Sequence, residues 1–325
     1  MAKVAVTGAG GFIGAYLARA LAGAGHDVLA MDNYARGRPE RLAGASPNLH
    51  PVTCDVRDEV ALRKHFVGVE AVFHLAAING TENFYKQPKL VLDVGVRGAL
   101  AVAEACNATG VPAMIFASSA EVYQTPATVP TDETAPLLLP DSLNPRYSYG
   151  GSKIISELIA FNYCRDTIAK VQCFRPHNVY GPDMGYKHVI PQLIAKIATA
   201  RAGGGNTVTL QGDGSETRAF CYVDDIVAGI IAMWLRGEHM NVYHIGSMEE
   251  VTVLTLARQI ALSMGAEIEF VAGEAPAGAT PRRCPDIAKM RALGYEPGVA
   301  LAEGVARTVA WYEANPAPSG GNELL

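Results

Sequence analysis

The segment VAVTGAGGFIG, residues 4–14 of 325, constrains the fold more than any other part of the chain. Val4 to Thr7 is an apolar run rich in β-branched residues and without polar alternation, the pattern of a strand covered on both faces. It passes straight into a helical pattern over Ile13 to Gly23, with Gly8, Gly11 and Gly14 at three-residue spacing across the junction. In such a junction Gly8 turns the chain, Gly11 lets backbone approach a bound anion, and Gly14 lets the helix lie close on the strand.

The same alternation recurs downstream. Strands are predicted at Val28 to Asp32, Leu49 to Cys54, Ala71 to Leu75, Ala113 to Ser118 and Lys170 to Arg175, and helices at Asp58 to His65, Leu90 to Gly110 and Tyr149 to Asp166. Repeated strand–helix units of this kind predict an α/β fold with a doubly wound parallel sheet. After about residue 176 the rhythm weakens into a smaller mixed α/β C-terminal lobe. The expected division is 1–176 plus about 220–245 for the sheet domain, 177–219 plus 246–315 for the lobe, and a frayed tail over 316–325.

Composition removes several classes of partner. A net charge of -5, from 27 basic and 32 acidic residues, creates no field that would gather nucleic acid, so an anionic ligand must be met locally. The six cysteines show no metal-ligand spacing, so no metal is expected and they read as reduced thiols. No run of about 18 apolar residues argues for a membrane span. A cytoplasmic protein is the expectation.

Two carboxylates give the glycine turn a ligand. Asp32 ends the second strand 18 residues after Gly14, where it can accept from both ribose hydroxyls of NAD and would repel the 2′-phosphate of NADP. The diphosphate would then meet the helix N-terminus at Phe12 and Ile13. Asn33 follows Asp32, and Asp55-Val56 follows the third strand, where Asp55 either meets the adenine amine or caps a helix. Arg36 and Arg38, just beyond Asp32, are the one feature that keeps NADP open. NAD is the expected cofactor.

Tyr149 and Lys153, in YGGSK at the start of a helix, stand at i and i+4 on one face. A phenol beside an ammonium and a nicotinamide cation has its phenolate favoured, which suits a general base for a sugar hydroxyl. The strand ending in Ser118-Ser119 places hydroxyls at the carboxyl edge of the sheet, so Ser119 can position the oxygen that Tyr149 deprotonates.

The series TGAGGFIG, Asp32-Asn33, Asp55-Val56, His74-Leu75-Ala76-Ala77, SSAEVY, YGGSK, RPHNVYGP, GDGSETRAFCYVDD and RRCPDI resembles the extended short-chain dehydrogenase/reductase family, which includes nucleotide-sugar epimerases, dehydratases and decarboxylases. The resemblance covers nearly the whole chain. It implies a Rossmann domain with tightly held NAD, a lobe gripping a nucleoside diphosphate sugar, and a homodimer formed by helices near 90–110 and 149–166. It also implies a catalytic set of Ser119, Tyr149 and Lys153, with cofactor contacts at Leu75, Ala76, Ala77 and Pro176. Asn178, Arg218 and Arg283 would meet the substrate, Arg282 would either join Arg283 or be a solvated loop residue, and Asp225 would cap a helix. Base readers are expected around Val189, Gln211 and Met248.

The implied reaction is transient oxidation at C4 of the sugar. C4 epimerisation of a UDP-sugar is the leading expectation. Glu121, two residues before Tyr123, raises the alternatives of a 4,6-dehydratase, a UDP-glucuronate decarboxylase or a 3,5-epimerase, although Ala120 cannot serve as the acid of thymidine-sugar dehydratases. Lys187 is similar in position to a catalytic acid of GDP-mannose 3,5-epimerases, with a solvated lysine the favoured alternative. His177 replaces an aromatic and is expected to be a packed strand-end residue. Gly95 stands where the family has Asn. The intact Ser119, Tyr149 and Lys153 argue against a non-catalytic NAD-binding module.

Overall fold

Apolar strands that cannot face water on either side stack into the centre of the molecule. The computed structural model describes residues 1–274 and 281–316; the tail from residue 317 lies outside the described residues. Strands β1 (Lys3–Thr7), β2 (Asp27–Asp32), β3 (Leu49–Thr53), β4 (Ala71–His74), β5 (Ala113–Ala117) and β6 (Lys170–Pro176) pair in parallel in the order 6-5-4-1-2-3. Asn241–Ile245 adds a seventh parallel strand beside β6. Val4, Ala5, Val6 and Thr7 have no solvent exposure, as their unbroken apolar pattern requires. The architecture is a Rossmann-like doubly wound sheet, with its reversal between β1 and β4.

Helices α1 (Phe12–Gly23), α2 (Glu59–Phe66), α3 (Thr81–Lys86), α4 (Pro88–Leu92), α5 (Gly98–Thr109) and α6 (Ser148–Tyr163) surround the sheet. Leu17 and Leu21 of α1 pack on one face with Ile230 and Met233 of the helix Val223–Arg236. Leu62, Phe66, Val102 and Ile159, from α2, α5 and α6, fill the other. Each fully buried side chain of this size contributes roughly 1.5–3 kcal/mol of transfer free energy.

The helix expected over Leu90 to Gly110 runs without a gap from Pro88 to Thr109, with a π turn over Asp93–Arg97 joining α4 to α5. Gly95 in that turn lies against α6: a Cβ there would sit 2.7 Å from Ser152 Oγ, and the Gly95 carbonyl accepts from Ser156 Oγ at 2.9 Å. The glycine is therefore needed for helix–helix approach.

Beyond β6, helices Val189–Ala202, Val253–Ser263 and Leu301–Ala314 bury Ile190, Ile194, Ile260 and Val305 around a separate core. Thr217–Ala219 pairs with Glu250–Thr252 on one side and Arg282–Arg283 on the other, which sets Arg218 opposite Arg283. Asp225 does not cap its own helix; its carboxylate accepts from Gly298 N at 2.9 Å and Val299 N at 3.0 Å, anchoring the chain ahead of the last helix.

Candidate active site

A crevice of about 740 Å³ opens at the carboxyl ends of β1 and β4, where a doubly wound sheet binds its ligand. Its floor is the glycine turn. Gly8 has φ +74, and a Cβ on it would meet Ala76 N at 2.7 Å; a Cβ on Gly14 would lie 2.1 Å from the Gly8 carbonyl oxygen. The N-cap of α1, Gly11, has no side chain to satisfy the first-turn N–H groups, which leaves them for an anion. Phe12, Ile13, Leu75, Ala76, Ala77 and Pro176 line the same space.

Asp32 is 9% exposed and accepts from Gly10 N at 2.9 Å and Tyr34 N at 2.7 Å. Burial raises its pKa against those bonds. Asn33 donates to Asp55 at 2.9 Å, and Arg57 holds Asp55 through Nε and Nη2 at 2.9 and 2.7 Å, which keeps that carboxyl well below the usual range. The helix cap is Asp58, which accepts from Ala61 N at 3.0 Å, so Asp55, with Val56, belongs to the crevice wall. Arg38 is drawn away to Asp183, while Arg36 lines the crevice within electrostatic reach of Tyr149. A glycine cradle, free N–H groups and a buried carboxylate at the end of β2 fit NAD.

Ser119, Tyr149 and Lys153 share one wall of this crevice. Tyr149 lies within electrostatic reach of the Ser119 hydroxyl, which itself accepts from Glu121 N at 3.1 Å, and stacks on Phe84 with centroids 5.2 Å apart and an interplanar angle of 11°. Lys153 Nζ donates to the Ala117 carbonyl at 2.7 Å and lies 5.8 Å from the Tyr149 ring centroid. The expected lowering of Tyr149 does not occur in the protein alone. Burial pushes its phenol up to about 12, outweighing the lowering effect of the Ser119 hydroxyl, and burial pushes Lys153 down to about 8.

The lysine shift has a sign that can be tested. Between about 8 and its ordinary 10.5, Lys153 holds its proton in the unfolded chain but not in the folded one, so its contribution makes stability rise with pH in that window. Thermal melts of cofactor-free protein should show a steeper rise in the wild type than in Lys153→Met. Equal slopes would refute the assignment.

Glu121 lies between two guanidinium groups, with Arg283 Nη1 at 2.8 Å and Arg146 Nη2 at 3.0 Å. Burial works to raise its pKa, but Arg283 and Arg146 prevail and hold it below the ordinary value. Arg282 points elsewhere: it is half exposed and binds Glu250 through Nε at 2.8 Å. A second cavity of about 230 Å³ is lined by Val189, Gln211 and Arg218, and Asn178 lines both cavities. Asn178 has φ +39 and donates to the Ala219 carbonyl at 3.0 Å. Lys187 is paired with Glu82 at the crevice mouth. His177 is 1% exposed and packs edge-on against His244 at 4.7 Å; burial keeps it neutral.

Sequence reasoning missed Phe84, Arg146, Met184, Tyr186 and His188, all of which line the crevice. Phe84 sits in the polar run TENFYK, where nothing marks it. Arg146 lies three residues before Tyr149, and that adjacency was the available signal.

The fold and the site together define a dinucleotide-dependent enzyme of the Rossmann type with room for a second ligand. Residues 4–246 match the NAD dependent epimerase/dehydratase family, and the chain belongs to it; NAD is its cofactor. It is 32% identical over 325 residues to the UDP-glucose 4-epimerase of Mycolicibacterium smegmatis, covering 95% of this chain and 98% of that one. It is 30% identical over 317 residues to UDP-glucuronic acid decarboxylase 1 of Arabidopsis thaliana, covering 94% and 69%. A dTDP-glucose 4,6-dehydratase from Streptomyces venezuelae, solved with NAD bound, superposes with a TM-score of 0.84 at 30% identity, over 96% of this chain and 97% of the other. Among the described residues no helix is long and apolar enough to cross a membrane.

Proposed function

We propose that the protein is a C4 epimerase of a UDP-sugar, working through a 4-keto intermediate. The observation that carries this reading is that Ser119, Tyr149 and buried Lys153 line one crevice together with the glycine turn and Asp32. The chemistry that bound NAD supplies is reversible acceptance of a hydride. Tyr149 takes the proton of the C4 hydroxyl as C4 loses its hydride and becomes a ketone, with Ser119 orienting the oxygen. After the sugar turns to present its opposite face to the NAD that the glycine turn and Asp32 would hold, Tyr149 would give the proton back to the C4 oxygen. Asn178, Arg218 and Arg283 bind the diphosphate side, and Val189 and Gln211 the base.

Epimerisation over dehydration is supported at Ala120: a 4,6-dehydratase needs an acid for the departing hydroxyl, and the alanine beside Glu121 has no proton to give, while Glu121 is held as a carboxylate by Arg146 and Arg283. A second reading, decarboxylation of UDP-glucuronate, is favoured by the same cluster: Arg146 and Arg283 converge on one carboxylate and can receive a sugar carboxylate instead. We also propose a homodimer, since α4 and α6 expose Leu92, Ile155 and Leu158.

Incubation with UDP-glucose and UDP-glucuronate in heavy water separates these readings. Inversion at C4 without deuterium at C5 is expected. Release of carbon dioxide from the uronate would establish the second reading, and deuterium at C5 without carbon dioxide would overturn both. Sedimentation of the same preparation should give twice 34.4 kDa; a single-chain mass would refute the dimer.

A further inference from the structure

Arg41 joins the glycine turn to a loop at Asp183, which lies 142 residues beyond Arg41 in sequence. Its Nη1 donates to the carbonyl of Gly10, in the glycine turn, at 3.0 Å. Its Nε donates to Asp183 Oδ2 at 2.8 Å, and its Nη2 donates to Asp183 Oδ1 at 3.1 Å and to the Asp183 carbonyl at 2.7 Å. Arg38 pairs with the same carboxylate, and its backbone N–H donates to the same Gly10 carbonyl at 2.9 Å. Gly10 N in turn donates to Asp32. One guanidinium therefore ties the turn that would hold the diphosphate, and through it the ribose-facing carboxylate, to the loop over 181–188.

From Asp183 that loop runs along the crevice, where Met184, Tyr186, Lys187 and His188 form one wall. It is pinned along its length by Tyr16, whose hydroxyl donates to the Pro182 carbonyl at 3.3 Å, and by Tyr312, whose hydroxyl donates to the Gly185 carbonyl. The two ends of the wall differ in strength. At the far end Lys187 and Glu82 are 47% and 42% exposed, and exposed ion pairs are worth little. At the near end Arg41 and Asp183 are 13% and 19% exposed and meet in a two-pronged, charge-assisted geometry.

We propose that Arg41 and Asp183 form a clamp that keeps the 181–188 loop closed over the dinucleotide and thereby sets how slowly NAD leaves. Both are positioning residues: they hold the walls of the cofactor site rather than the reacting atoms. The proposal rests on NAD occupying this crevice and is independent of which sugar is turned over.

The test follows exchange of bound NAD for isotopically labelled NAD in the full-length protein, by mass spectrometry after desalting and denaturation. Asp183 has φ +62, a conformation that Asn also accepts readily, so Asp183→Asn removes the charge without straining the loop. Arg41→Gln removes the partner and covers the case in which one variant folds poorly. Both are expected to exchange at least about tenfold faster than wild type, a change of about 1.4 kcal/mol in retention. Glu82→Gln, at the exposed end of the same wall, should stay within about threefold of wild type. Wild-type rates in both clamp variants, or an equal acceleration in Glu82→Gln, would overturn the clamp alone. A wild-type protein that takes up no NAD would overturn the cofactor reading and the clamp together.

Discussion

Tyr149→Phe is expected to lower turnover by roughly 10²- to 10⁴-fold while leaving the protein folded and its NAD in place, the range for loss of a positioned general base. The ring is retained, so the stack on Phe84 at 5.2 Å survives and only the hydroxyl is lost. Burial holds that phenol near 12 in the protein alone, so Tyr149 becomes an effective base only when cation charge is added next to it. Lys153 alone does not provide this: with its ammonium 5.8 Å from the ring centroid, burial still leaves the phenol raised. Steady-state assay of the sugar nucleotide, with the NAD content of the same sample measured in parallel, checks the prediction. Turnover at the wild-type rate would remove Tyr149 from the mechanism.

Glu157→Gln should lower stability by about 3–5 kcal/mol, the cost of leaving a buried charge uncompensated. Glu157 and Arg175 are 6% and 4% exposed and meet through two bonds, Arg175 Nε to Oε1 at 2.9 Å and Nη2 to Oε2 at 2.6 Å. The guanidinium cannot shed its proton, so Gln leaves it buried without a counter-charge. Arg175 also donates to the Tyr123 hydroxyl and to the Glu133 carbonyl at 3.2 Å, and Tyr123 bonds His244 at 2.6 Å. The loss therefore spreads from α6 through β6 to the seventh strand. Denaturant midpoints should show it, and Glu157→Gln combined with Arg175→Met should recover much of the difference. A single variant within about 1 kcal/mol of wild type would show that the pair is not the anchor described here.

The parallel sheet was legible because unbroken apolar runs, such as Val4 to Thr7, have few other ways to satisfy water exclusion. The glycine turn was legible for a similar reason, since contacts as close as 2.1 Å at Gly14 allow no side chain. Asp225 shows the limit. Its place in the first turn of a helix suggested a cap, yet it serves Gly298 and Val299, more than 70 residues away. Nothing local encodes that choice.

Local chemistry therefore determined what the chain itself must provide. This includes a strand-to-helix turn open to a diphosphate, a carboxylate at the end of β2, and a Tyr and a Lys one helical turn apart. These properties follow from neighbours within about one turn or strand, where backbone geometry dictates who meets whom. Tertiary structure decided how those groups behave. It placed Glu121 between Arg146 and Arg283, raised Tyr149 by burial, and brought Asp183 onto Arg41. Charge state and pairing depend on solvent exclusion and on partners distant in sequence, which only the folded chain brings together.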